Sequence, residues 1–257
     1  MTDTLHLQRD QPEGVPPLAL TGERTLPDVP AENYWFRRHL AVYEWIAARV
    51  QGMRVLDMAC GEGYGSDVLA RTAARVVGVD ANPEAHEHAR LRYRRPNLRF
   101  ARELVESFSQ EADAVVFLQT IEHLTDPGRA LERFRSLVGD SGTVFVSTPN
   151  VLTLAPKGAS RSDNPWHVHE YRAEEFAALC RGRFAVVEMF GLFHARKLRA
   201  HELALRLGWD AVHTRLGITD RFYGWFTPAI AASDFTLRAA PEADLDRALD
   251  FVAVCRS

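Results

Sequence analysis

Arg54-Val55-Leu56-Asp57-Met58-Ala59-Cys60-Gly61-Glu62-Gly63-Tyr64-Gly65 decides the fold of this chain. An apolar run ends on an acid, a glycine-rich turn follows, and the next residues can wind into a helix. In open α/β proteins a nucleoside cofactor is held at this place, at the carboxyl end of a parallel strand. Gly61 and Gly63 let the backbone approach a ligand where a side chain would collide. Asp57, Ala59, Cys60 and Tyr64 complete the loop. Asp80 ends the next apolar run, Val76–Asp80, with Ala81 behind it. An acid about 20 residues after the turn is placed for a ribose hydroxyl pair.

The glycine spacing separates two kinds of cofactor. A dinucleotide fold uses G-x-G-x-x-G, so that a helix N-terminus meets a pyrophosphate. Here the spacing is Gly61-x-Gly63-x-Gly65 with Glu62 inside the loop. An acid there would repel a pyrophosphate and suits a positively charged donor such as S-adenosylmethionine. The run Asp57–Gly63 resembles motif I of the class I S-adenosylmethionine-dependent methyltransferases, with Ala59 where many members have glycine. That resemblance implies a Rossmann-like, doubly wound, mostly parallel seven-stranded sheet.

Composition sets the frame. The 257 residues are 46% hydrophobic and 25% charged, as in a globular domain with a sizeable core. The net charge of −3 exerts no overall pull toward nucleic acid or an anionic membrane. No apolar run reaches the roughly 18 residues of a membrane span, and the first residues lack the pattern of a secretory signal. Cys60, Cys180 and Cys255 are scattered and read as free thiols of a cytoplasmic protein. Only Lys157 and Lys197 are lysines; the remaining basic side chains are arginines.

Residues 1–30 are rich in proline and are expected to form an extended arm. Residues 31–257 are expected to form one catalytic domain. Its first helix starts near Glu32, with Phe36, Leu40, Tyr43 and Ile46 on one face. The aromatic and basic cluster at its start reads as a lid, with Arg38 or Arg37 facing the methionine carboxylate of the cofactor and Tyr34 facing the acceptor. Asn82-Pro83-Glu84 and Asp126-Pro127 are helix starts. Arg90, Arg92, Arg94 and Arg95 read as a solvated face. Arg102 follows the third strand of the expected sheet, where this fold class touches adenine. The fourth strand, Ala112–Leu118, is apolar throughout, which suggests burial on both faces. It delivers Gln119 and Glu122-His123 to the carboxyl edge. Strands are also expected at Thr143–Ser147, Phe184–Phe190 and Phe251–Cys255, with a long functional loop over about 150–170. Residues 195–230 read as a helical insert beside the acceptor site.

Methyl transfer from a sulfonium is an in-line displacement, to which alignment and a positioned base both contribute. His123, His167, His169 and His194 lie on loops of one sheet edge. The pattern Glu122-His123, Ser147-Thr148-Pro149-Asn150 and His167-x-x-Glu170-Tyr171 looks like small-RNA 2′-O-methyltransferases and quinone-biosynthesis O-methyltransferases. That resemblance implies a divalent ion, Mg²⁺, on Glu122, His123 and His167. Gln119 stands where those enzymes have a further glutamate, so a metal-free site with His167 or His123 as general base stays open. A resemblance over nearly the whole chain is to actinobacterial methyltransferases linked to methylmannose and methylglucose polysaccharides of mycobacteria. It rests on Thr21–Pro27, Glu32–His39, Cys60–Gly65, Ile121–Leu124, Ser147–Asn150 and Gly191–His194. It implies O-methylation of a sugar hydroxyl. His169 and His194, with Tyr34, are expected at the acceptor. Methylation of a quinone, a phenol or an RNA end is the alternative among enzymes, and a non-catalytic scaffold binding the cofactor is the alternative outside them. The acceptor is expected to be a small molecule or an oligosaccharide rather than nucleic acid or membrane. Monomer and homodimer are both left open.

Overall fold

The computed structural model describes residues 5–9, 11–21, 24–156 and 158–257. Residues 1–4, 10, 22 and 23 of the expected arm lie outside the described residues, as does Lys157. The order of elements is β1 (Leu5–His6), β2 (Leu18–Ala19), α1 (Asn33–Ala47), β3 (Arg54–Met58), α2 (Tyr64–Leu69), β4 (Arg75–Asp80), α3 (Pro83–Arg92), β5 (Leu98–Arg102) and β6 (Ala114–Leu118). There follow α4 (Pro127–Val138), β7 (Thr143–Pro149), α5 (Val151–Leu154), α6 (Ala173–Arg181), β8 (Val186–His194), α7 (Arg196–Arg206), α8 (Trp209–Arg215), α9 (Thr219–Phe226), β9 (Phe235–Ala239) and β10 (Asp250–Arg256).

The main sheet has eight strands in the order β5-β4-β3-β6-β7-β10-β8-β9. The stretch from β5 to β7 is parallel. The chain turns from one direction of winding to the other between β3 and β6, and ligands of open α/β sheets bind in the crevice at such a switch point. The expected count of seven falls one short because of β9. Only Phe235 of its five residues is buried, so its alternation is too brief to read. β10 runs antiparallel between β7 and β8, which leaves the carboxyl end of β8 at the same edge as those of β6 and β7.

Consecutive residues of the central strands face opposite layers. Val76, Val116 and Phe145 pack with α1 and α2, while Val77, Val115 and Val144 pack with α4 and α6. That is why these strands read as unbroken apolar runs. The helix starts follow the sequence signals. Asn82 accepts from Glu84 and Ala85 N–H at 3.0 and 2.9 Å, and Asp126 accepts from Arg129 N–H at 3.0 Å. In the arm, β1 and β2 pair antiparallel, and Leu18, Leu26 and Val29 form a small buried cluster. The arm lies against α3, where His88 Nδ1 is 2.7 Å from the Pro16 carbonyl.

Candidate active site

Two cavities open side by side at the switch point. The first, about 260 Å³, lies over the glycine loop between β3 and α2. Ala59, Cys60, Gly61, Tyr64, Asp80 and Gln119 all line it. The Asp80 carboxylate accepts from Gly61 N–H at 2.7 Å and Asn82 N–H at 2.8 Å, which fixes the acid at the loop's mouth. Ala59 has φ +56° and Gln119 has φ +52°, left-handed conformations that cost a non-glycine residue about 1 kcal/mol or more. Both stand at strand ends on the cavity wall.

The glycines divide the work differently from the sequence expectation. Gly61 lines the cavity. A Cβ on Gly63 would come within 2.8 Å of Ala89, and one on Gly65 within 2.1 Å of the Tyr43 ring. Those two glycines let α2 seat on its neighbours, and neither lines the cavity. Glu62 lines the same cavity as Gly61. Its carboxylate is buried and accepts from Tyr64 N–H at 3.0 Å and Tyr93 OH at 2.9 Å, with His88 Nε2 at 3.1 Å. The acid thus lines the cavity and also ties the loop to α3.

Other expected cofactor residues stand back from the cavity. Asp57 is fully buried and accepts from Ser66 Oγ at 2.6 Å and Tyr43 OH at 3.1 Å. Burial, opposed by those two bonds, pushes its carboxyl up to about 7. Asp57 therefore braces the loop from below. Arg38 does not face the cavity: its Nε donates to Asp250 at 2.7 Å and its NH2 to the Leu249 carbonyl at 2.7 Å. Arg37 donates to Asn33 on its own helix. Ala81 and Arg102 are exposed and outside the lining.

The second cavity, about 430 Å³, shares Arg24, Thr25, His39, Gln119 and His123 with the first. Along its wall Glu122, His123 and His167 bring one donor atom each within 4.8 Å of one another, His123 from the shared part. Glu122 lies in the short 3-10 turn after β6, and its backbone carbonyl accepts Val168 and His169 N–H at 2.9 and 3.1 Å. These bonds clip the loop that carries His167 onto the turn. Thr148 donates to the Glu122 carboxylate at 3.2 Å, and Ser147 Oγ accepts from the Gln119 amide at 3.0 Å. Asn150 holds the 245–249 turn through three backbone carbonyls. The Ser147–Asn150 motif is thus the scaffold of the site.

The two histidines are oriented alike. His167 Nδ1 is 2.7 Å from Glu170, and Asn164 donates to its Nε2 at 3.0 Å. His123 Nδ1 is 2.9 Å from the Trp166 carbonyl. Nδ1 of each ring faces an oxygen and carries the proton, which is how metal-ligating histidines are oriented, and His167 Nε2 accepts from the Asn164 amide, which an ion at that nitrogen would displace. Burial works against the charge of Glu170, but bonds from Ser162 and His167 hold its carboxyl below the ordinary range. Burial pushes Glu122 the other way, up to about 8, against its backbone and Thr148 bonds and with the charges of Asp250 and Glu170 adding. Among the described residues no Lys or Arg side chain pairs with the buried Glu122 carboxyl, and its grouping with two imidazoles fits a divalent ion.

This has a measurable sign. Between the ordinary carboxyl range and about pH 8 the folded chain keeps a proton on Glu122 that the unfolded chain releases. Stability therefore falls as pH rises through that window. In chelator, urea denaturation of wild type is expected to lose about 1–3 kcal/mol more between pH 5.5 and 8 than Glu122→Gln does. Asp57 contributes with the same sign to both proteins.

The three residues expected at the acceptor, Tyr34, His169 and His194, line neither of these two cavities. Tyr34 OH lies 2.8 Å from His194 Nε2, and this pair lines a separate cavity of about 290 Å³ beneath α7 and α9. His169 is exposed with its ring against Tyr171. Three residues of the shared wall, Arg24, Thr25 and His39, were missed by the sequence reading. Arg24 comes from the arm, and among the described residues it has no carboxylate partner. His39 lies one turn before Tyr43 on α1, which is the signal that would have found it. Burial, opposed by Asp250 and helped by Arg38, pushes its imidazole down to about 4, so it stands neutral between the cavities.

A cavity over a glycine loop at the switch point, with a second cavity sharing its wall, is the layout of a group-transfer enzyme. The family model for a methyltransferase domain matches residues 32–200. The chain is 38% identical to a probable S-adenosylmethionine-dependent methyltransferase of Mycolicibacterium smegmatis over 246 residues, 92% of this chain and 94% of that one. It belongs to the class I S-adenosylmethionine-dependent methyltransferases, and S-adenosylmethionine is its methyl donor. A ubiquinone biosynthesis O-methyltransferase of Albidiferax ferrireducens is 34% identical over 182 residues, 63% of this chain and 70% of that one. In fold it is similar to a Thermotoga maritima S-adenosylmethionine-dependent methyltransferase, at TM-score 0.57 and 13% identity over 88% of this chain and 93% of that one.

Proposed function

We propose that this protein transfers the methyl group of S-adenosylmethionine to a sugar hydroxyl held in the second cavity. One observation carries the reading: the two cavities meet at a wall of Arg24, Thr25, His39, Gln119 and His123, with the Glu122–His123–His167 trio on the acceptor side. In the transfer the O–CH₃ bond forms as the S–CH₃ bond breaks, the sulfonium becomes a thioether, and the hydroxyl proton must leave. A sugar hydroxyl is a poor nucleophile at neutral pH, so that proton needs a receiver close to the wall.

Glu122, His123 and His167 would hold a divalent ion. Two imidazole nitrogens and one carboxylate match Mn²⁺, Fe²⁺ or Co²⁺ better than the Mg²⁺ expected from sequence, which prefers all-oxygen surroundings. When bound, such an ion lowers the pKa of a coordinated hydroxyl. Trp35 lines the acceptor cavity together with Glu32, Asp163 and Asn164. A flat aromatic ring beside acids and an amide suits a pyranose, whose C–H face stacks while its hydroxyls are hydrogen-bonded. Arg24 is assigned to the cofactor's carboxylate. Arg24→Ala is expected to weaken S-adenosylhomocysteine binding about 10-fold by isothermal titration, the loss of one charged hydrogen bond.

The ubiquinone-pathway relative favours a second reading, methylation of a phenol. Labelled S-adenosylmethionine offered with methyl glycosides, short oligosaccharides and a catechol separates the two. Methyl ethers on the sugars support the first reading. Transfer to the catechol alone supports the second, and cofactor binding without transfer to any of them leaves a scaffold.

A further inference from the structure

The exposed apolar side chains are distributed unevenly. Among the described residues thirteen large hydrophobics are exposed, and five of them, Leu203, Leu207, Val212, Leu216 and Trp225, belong to the α7–α9 segment. Leu207 is 80% and Trp225 71% exposed, and exposed apolar side chains gathered in one region mark an interaction surface. Leu203 and Leu207 are four residues apart, and so are Val212 and Leu216, so each pair shares a helical face. Trp35 and Trp166 are exposed as well. Trp35 lines the acceptor cavity, and Trp166 adjoins His167, which also lines it. The α7–α9 segment follows β8, whose carboxyl end lies at the edge where the acceptor cavity opens. It is tied to the start of α1 by the Asn33 side chain, which donates to the Thr227 and Ile230 carbonyls at 2.8 and 3.0 Å. Of the thirteen, Val186 opens β8 at the opposite edge.

Charge selects the occupant. Residues 195–230 hold six arginines and lysines against three aspartates and glutamates, a local +3 on a chain of −3, so the remainder carries −6. Arg199, Arg215 and Arg221 are exposed there. The overall charge, which argues against an anionic surface, conceals a basic segment that exposes leucines and a tryptophan. A second copy would set +3 against +3. Among the described residues no helix is long and apolar enough to cross a membrane, whereas short helices of this composition lie in the headgroup plane. We propose that the α7–α9 segment docks this protein on an anionic lipid bilayer, with the mouth of the acceptor cavity turned toward that surface. The docking does not depend on which acceptor is methylated.

The test is co-sedimentation of the full chain with vesicles of phosphatidylcholine alone and of phosphatidylcholine with phosphatidylglycerol in equal parts. The expected result is partitioning about 10-fold stronger onto the anionic vesicles, weakened by high salt. Leu207→Ser with Trp225→Ser is expected to lower it at least about 10-fold, while S-adenosylhomocysteine affinity, which reports the fold, stays as in wild type. Arg215→Gln with Arg221→Gln is expected to remove the preference for anionic lipid. Equal or absent partitioning onto both vesicles overturns the proposal. So does a dimer in sedimentation velocity that the Leu207 and Trp225 changes abolish, which would give this face to a second copy.

Discussion

His167→Ala is expected to lower kcat/KM for methyl transfer by about 10²–10⁴-fold, the usual worth of a positioned proton acceptor or ligand, while S-adenosylhomocysteine binds within about 2-fold of wild type. The two readouts separate because His167 lines the acceptor cavity and not the cofactor cavity. Its ring is held by Glu170 on one nitrogen and Asn164 on the other, so the substitution removes an oriented imidazole from the trio. The loop keeps its anchor, because the Glu122 carbonyl receives N–H groups of Val168 and His169 and not the His167 ring. Wild-type turnover in this variant would take His167 out of the chemistry. Lost cofactor affinity would show that the loop had shifted.

Asp250→Ala is expected to destabilise the protein by about 3–5 kcal/mol, the cost of leaving a buried arginine without its partner. The side chains of Arg38 and Asp250 are 5% and 1% exposed, and they meet through two hydrogen bonds of 2.7 and 2.5 Å. The pair joins α1 to the first residue of β10, so it locks the helix that carries Trp35, His39 and Tyr43 onto the carboxyl edge of the sheet. Arg38→Met with Asp250→Leu, which removes both charges and fills the space, is expected to recover most of the loss in urea denaturation. A single Asp250→Ala variant as stable as wild type would mean that water reaches Arg38 and that the lock is weak.

The same ion pair shows where the sequence stops being legible. An arginine at the start of α1 could face a cofactor carboxylate or a buried acid. The choice depends on Asp250, 212 positions away, which no local pattern connects to it. The motifs that were legible are local: the β3 glycine turn, the Asn82 and Asp126 caps, the apolar run of β6. The Glu122–His123–His167 trio was legible through resemblance, and the structure brings its donor atoms together. Arg24 was not legible, because an arm rich in proline gives no periodicity to say which side chain reaches the site. Tyr34 and His194 share an edge with the trio, but α1 turns Trp35 into the acceptor cavity and its neighbour Tyr34 away from it.

That the trio beside the cofactor is the reacting centre is tested most directly by Mn²⁺ titration of the S-adenosylhomocysteine-loaded protein, followed by electron paramagnetic resonance. One Mn²⁺ site per chain, lost in Glu122→Gln and in His167→Ala with cofactor affinity unchanged, is the expected result. No site in the wild type, or a site that survives both substitutions, would contradict it.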